Sequence, residues 1–159
     1  VDIVFGLPSH PLFVHLPLVA VPAAALAALA IALRPAWRRR FGLAATALTA
    51  VGFVGTFLAT QSGEELYDAI ESRIGDVADR HQELGEQTLM LVAAFFLTMV
   101  GSVVADHRLI SQFVEQRGFG RHVATALTWI GAVVGAVATV WMLRTGHEGA
   151  RLVWEDAIP

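Results

Sequence analysis

Four stretches of this chain carry no charged residue and are mostly apolar: Pro11–Leu33, Phe41–Thr60, Gln87–Ala105 and Val123–Leu143. Each is near the ~20 residues that an α-helix needs to cross a hydrocarbon core of ~30 Å. Inside hydrocarbon a segment must satisfy its own backbone hydrogen bonds, so such stretches are helices. The composition agrees, with 55% apolar and 16% charged residues, against about 45–50% and 25% in soluble domains. None of the four reads as a cleaved signal peptide, because no basic segment precedes a short apolar one with a small-residue site after it. The expected fold is an all-α, four-helix transmembrane bundle, a single domain over residues 1–159.

The charges orient it. Between spans one and two lie Arg34, Arg38, Arg39 and Arg40 with no acid, and between spans three and four lie Arg108, Arg117 and Arg121. The middle connection, Gln61–Glu86, has eight acids against Arg73 and Arg80. Arginine in short loops marks the cytoplasmic side, which places both termini and the acidic connection outside, at the periplasm or cell exterior. Within that connection Leu66, Ile70, Ile74 and Val77 recur at helical spacing, the pattern of an amphipathic surface helix. The inner loop repeats this more weakly with Leu109, Ile110, Phe113 and Val114. Gly131 and Gly135 form a small-xxx-small face that lets helices approach, within the bundle or in a homodimer. Trp37, Trp129, Trp141 and Trp154 lie mostly near span ends, as interface anchors do.

This topology sorts six scattered histidines. His10 and His15 lie at the outer end of span one, His81 just before span three, and His147 just after span four. His107 and His122 fall on the arginine-rich side, where a solvated role is expected. Pro11 suits a first helical position, with Ser9 or His10 as cap. Pro17 lacks the N–H that would bond the carbonyl near residue 13, so the helix bends there. On an ideal helix His10 and His15 are about 140° apart, and sharing a ligand requires that bend.

Imidazole is the commonest side-chain ligand for iron, copper and zinc. A b-type haem asks for two histidines on facing helices, small residues beside them, and cations for its propionates. The expected axial pair is His15 facing His81, with His10 and His147 as alternative or additional ligands. Arg80, Arg144 and Arg151 are the candidate propionate partners. The same four histidines with Glu64, Glu83, Glu86 or Glu148 would instead suit a mononuclear copper, zinc or iron site, and a hydrogen-bonded structural network is the plainest use of all. With no cysteine, iron–sulfur ligation and c-type haem attachment are excluded. There is no nucleophile elbow, P-loop or dinucleotide fingerprint. No basic patch interleaved with aromatics points to nucleic acid. A transporter is disfavoured, since no charge lies within a span and no inverted repeat is apparent.

At these residues the chain resembles a bacterial membrane family catalogued as domain of unknown function 2231. His10-Pro11-Leu-Phe-Val-His15-Leu-Pro17 is similar to its HPxxVHFP-type opening, with Leu16 for the usual Phe. His81 falls where the family has a histidine before its third helix. Gly146-His147-Glu148-Gly149-Ala150-Arg151-Leu152-Val153-Trp154 resembles its GHxGGxLVY ending, with Ala150 for a Gly and Trp154 for the Tyr. The resemblance covers almost the whole chain. It implies four helices and, through related domains joined to Rieske or cytochrome c domains, a redox setting with quinol or haem. The reading expected from all of this is electron transfer in or beside a respiratory chain. The alternative is a non-catalytic assembly subunit of a larger complex.

Overall fold

The computed structural model describes residues 3–4, 6–74, 76–106 and 119–154. A small antiparallel hairpin opens the chain, β1 (Ile3–Val4) with β2 (Leu7–Pro8), Val4 facing Leu7. Its turn holds Gly6 at φ +81°, a left-handed conformation that costs glycine nothing. Then come α1 (Ser9–Phe13), α2 (His15–Leu33), a 3₁₀ turn (Pro35–Trp37), α3 (Arg38–Ile74), α4 (Asp76–Asp106) and α5 (Phe119–Trp154). The helical ladder is interrupted at Val14, where Pro17 has no N–H for the Phe13 carbonyl. Val14 N–H still donates to His10 O and Leu18 N–H to Val14 O, so α2 carries on from α1. Pro8, without any side-chain cap, precedes α1. The expected cap at Ser9 or His10 is therefore not formed, because His10 turns its ring to another helix.

Counting α1 and α2 together, four helices among the described residues are long and apolar enough to cross a membrane. The acidic connection is not a separate element. Its residues to Ile74 extend α3, and those from Asp76 begin α4. Polarity stops a membrane span but not a helix, which continues in water where its polar faces are solvated. Tyr67 donates to Asp79 Oδ1 at 2.6 Å and ties the two extensions together. The side chains of Ile70, Ile74 and Val77 lie outside the described residues, as do His107 and the inner loop from Arg108 to Gly118.

The helices form a ring: α2 packs on α3 and α5, and α4 packs on the same two. Small residues set the spacing. A Cβ on Gly52 would lie 2.8 Å from Val21, and one on Gly55 2.9 Å from Pro17. Between α4 and α5, a Cβ on Gly135 would lie 2.9 Å from Phe95 and one on Gly131 3.1 Å from Met99. The Gly131–Gly135 face is thus spent inside the bundle, not on a second copy. Phe95, Met99, Val21 and Val92 are fully buried among alanines. Val19, Leu26, Leu43, Leu97 and Val133 are exposed, as residues facing lipid tails are, and close contact of small faces supplies the packing.

Buried hydroxyls are satisfied locally. Thr56, Thr88 and Thr128 each donate to the carbonyl four residues back, a bond that keeps the helix and hides the hydroxyl. Ser102 and Thr128 also meet across α4 and α5 at 2.6 Å. At the end of the bundle where α3 begins, buried Arg38 bonds Thr125 at 3.2 Å and pairs with Asp106 at 3.5 Å. The opposite end is the histidine end.

Candidate functional site: a histidine pair at one end of the bundle

At the histidine end, α1 brings His10 against α3. Its Nδ1–H donates to the carbonyl of Ala59 at 2.8 Å. One turn further along α3, Gly63 leaves room for the ring, since a Cβ there would lie 3.1 Å from His10 Cε1 and Nδ1. His81, near the start of α4, is held in the same manner by α5. Its Nδ1–H donates to the carbonyl of Thr145 at 2.9 Å. A Cβ on Gly149, again one turn further, would lie 2.8 Å from His81 Cε1. A carbonyl only accepts, so both rings carry their proton on Nδ1. In the neutral ring that leaves the Nε2 lone pair for another partner.

The two rings meet edge to face, with centroids 6.0 Å apart and planes at 86°. Both are half-buried. Ala59 lies about 32 Å along α3 from Arg38 at 1.5 Å per residue, which sets the pair at the edge of a hydrocarbon core of ~30 Å. Thr145, besides its carbonyl, puts its hydroxyl 3.0 Å from Thr88 Oγ1. Trp141 donates Nε1–H to Gln87 Oε1 at 2.8 Å, a turn deeper. Trp141 thus serves as a tie between helices and not as a free interface anchor.

The other expected ligands lie elsewhere. The ring that meets His81 is His10, not His15. His15 is exposed, and its Nδ1–H returns to Pro11 O at 2.6 Å, within its own chain segment. The break at Val14 does not swing it round to join His10. His147 is exposed and lines a shallow groove with Val140, Leu143, Arg144 and Glu148. His122 is exposed near the start of α5.

The charged candidates have partners of their own. Arg80 pairs with Glu83 at 2.9 Å, Arg151 with Glu148 at 3.1 Å, and Glu64 accepts from Gln61 at 3.2 Å. Arg144 stacks on Trp141, 4.9 Å from the ring centre, a cation–π contact. Among the described residues, no group of three or more His, Asp or Glu is placed to hold a metal ion. A four-histidine or mixed carboxylate site is therefore not formed by these side chains as they stand. Ala59, Gly63, Thr145 and Gly149 are the residues that sequence reasoning missed. Their signal was faint: an alanine and a threonine, each followed by a glycine four residues later.

Residues 6–159 match the model of a family, DUF2231, described as a predicted membrane protein. The chain belongs to the DUF2231 family. No curated protein and no solved structure matches it. For a DUF2231 protein the family description agrees with membrane residence, and the four-helix reading rests on the four described helices long and apolar enough to cross.

Proposed function

We propose that this membrane protein holds haem b between His10 and His81 and passes single electrons at the membrane face opposite its arginine-rich loops. The observation that carries the reading is the paired clamp: two imidazoles from different helices, each with Nδ1–H fixed on a backbone carbonyl. Metal-ligating histidines are oriented in this manner, the second nitrogen's hydrogen bond setting tautomer and ring direction. The ring centroids of His10 and His81 lie 6.0 Å apart, and one ring would have to turn from its edge-to-face contact for both Nε2 atoms to point at one ion. Donor count favours haem over a bare ion: a porphyrin supplies four nitrogens and asks the protein for two, whereas zinc or copper wants three or four ligands from side chains and water.

The neighbourhood suits a flat anionic ring. Open space adjoins Gly85, one turn along α4 from His81, where a Cβ would meet nothing within 4 Å. Arg80, Arg144 and Arg151 lie at the same end, and to pair with propionates they would exchange their contacts with Glu83, Trp141 and Glu148. When bound, the haem supplies a one-electron couple; the protein's part is to fix both imidazoles and exclude bulk water. By the arginine count, the face is the outer side of a bacterial plasma membrane. Its redox partner there would be quinol or a Rieske or cytochrome protein, in or beside a respiratory chain.

The same hydrogen bonds favour one other reading, in which His10 ties α1 to α3 and His81 ties α4 to α5 as structural clamps in an assembly subunit. Visible spectra separate the two. Protein purified in mild detergent and supplied with haemin should show a low-spin spectrum with sharp reduced α and β bands. His10→Ala and His81→Ala should each abolish it, while His15→Ala leaves it intact. A protein that takes up no haemin would overturn the haem reading, and loss of stability alone in the two variants would establish the clamps.

A further inference from the structure

The two histidine clamps are built alike, and the likeness extends down the bundle. In the first hairpin a histidine at the start of α1 donates to a carbonyl of α3 and rests against the glycine four residues on. In the second, a histidine near the start of α4 does the same with α5. Superposing His10 on His81 puts Val21, Ala24 and Ala28 on Val92, Phe95 and Met99, and all six are buried. Superposing Gly63 on Gly149 puts Ala45, Thr49 and Gly52 on Gly131, Gly135 and Ala138, again all buried. Helical periodicity alone would produce matching faces only if the phase agreed, and here the phase is set by the clamps, not by the core. At the far end Arg38 falls on Ala124, and both are buried.

The packing has the same symmetry. α2 and α4 run in one direction and α3 and α5 in the other. Each of the first pair contacts both of the second, as a two-fold axis down the bundle requires. His10 and His81 come from opposite corners of this ring, and their ring centroids lie 6.0 Å apart. We infer that the protein is a tandem repeat of one helical hairpin about a pseudo-two-fold axis, and that Gly63 and Gly149 are equivalent positioning residues for one ligand held on that axis. The repeat is parallel, not inverted, which is why a search for opposed halves misses it. Few side chains are shared between the halves; what recurs is which positions must be small, buried or histidine. The halves differ on the flank, where Leu58 and Gln61 stand in place of Arg144 and His147. The groove at His147 thus belongs to one hairpin only, and His147 has no place in the symmetric pair.

This inference rests on the haem reading for its ligand but not for its geometry, so the full-length protein in detergent is tested in two ways. In haemin titrations, Gly63→Ala and Gly149→Ala should each weaken binding about tenfold or more, as changes to the support of a ligating histidine do. The two losses should be similar, and His147→Ala should match the parent protein. Haemin binding that depends on one histidine or one glycine alone would overturn the equivalence. Independently of haemin, ¹⁵N-labelled imidazole spectra should show His10 and His81 as Nδ1–H tautomers. Gly63→Ala should move the His10 signals and Gly149→Ala the His81 signals. If haemin fails to bind while these paired shifts appear, the haem reading falls and the repeat stands. If neither glycine moves its histidine, the repeat falls as well.

Discussion

The two ends of the bundle bury polar side chains by opposite means. At the arginine end a charge is matched by a charge: Arg38, with 4% of its side chain exposed, pairs with Asp106. Its Nη1 also reaches Thr125, and only Nε is left without a partner. At the histidine end imidazole rings are matched by backbone carbonyls, with the positions fixed by glycines. An ion pair uses up the groups that form it. An imidazole anchored through one nitrogen keeps the other, so the histidine pair has coordination capacity to spare. A polar group near membrane depth is costly wherever it sits, and this molecule offsets that cost with an ion pair at one end and with backbone carbonyls at the other.

The largest test of that contrast is Asp106→Ala. It leaves a buried guanidinium without its counter-charge and should destabilise the bundle by about 3 kcal/mol, read from unfolding in mixed detergent–SDS micelles. Replacing both partners, Arg38→Met with Asp106→Leu, should recover most of that loss, and failure to recover would show that the pair does more than neutralise itself. Next, Gly135→Val drives methyl groups into Phe95 and should cost about 2 kcal/mol. It acts on the frame that both ends share. At the histidine end, His10→Ala and His81→Ala each remove one imidazole–carbonyl hydrogen bond, worth about 1 kcal/mol in the same assay. A loss as large as that of Asp106→Ala would erase the distinction between the ends. Arg39→Ala should change stability by no more than about 0.5 kcal/mol, because its contact with Asp106 is 3.9 Å long and its side chain is 84% exposed.

How the ends were legible differs too. Uncharged runs set the four spans, since charge in hydrocarbon is forbidden and length in residues converts directly to ångströms. Arginine counts then sorted the histidines, and that sorting brought His10 and His81 to one end before any contact was known. Which of them would touch was not legible. The rotation of α1 and α2 about their axes is set by Val21 against Gly52 and Pro17 against Gly55, long-range contacts that no local spacing encodes. Those contacts turn His10 inward and leave His15 outside. The acidic connection was legible as helical from the spacing of Leu66, Ile70, Ile74 and Val77. That its halves prolong α3 and α4 was not, because loss of apolar character ends a span without ending a helix. The carbonyls of Ala59 and Thr145 were invisible in principle, since every residue has one and only the fold decides which is offered.

The lengths of α3 and α4 carry a last consequence. α3 runs on from Ala59 to Ile74, a further distance of about 22 Å at 1.5 Å per residue. That stretch bears Glu64, Glu65 and Asp68, and its neighbour brings Asp79 and Glu83. The hairpin therefore stands off the membrane as a negatively charged pylon beside the histidine pair. Approaching cations are drawn in and anions are turned away, within the roughly 8 Å over which physiological salt leaves a charge unscreened. A basic surface is drawn toward this end of the bundle, and its rate of arrival falls as salt is added.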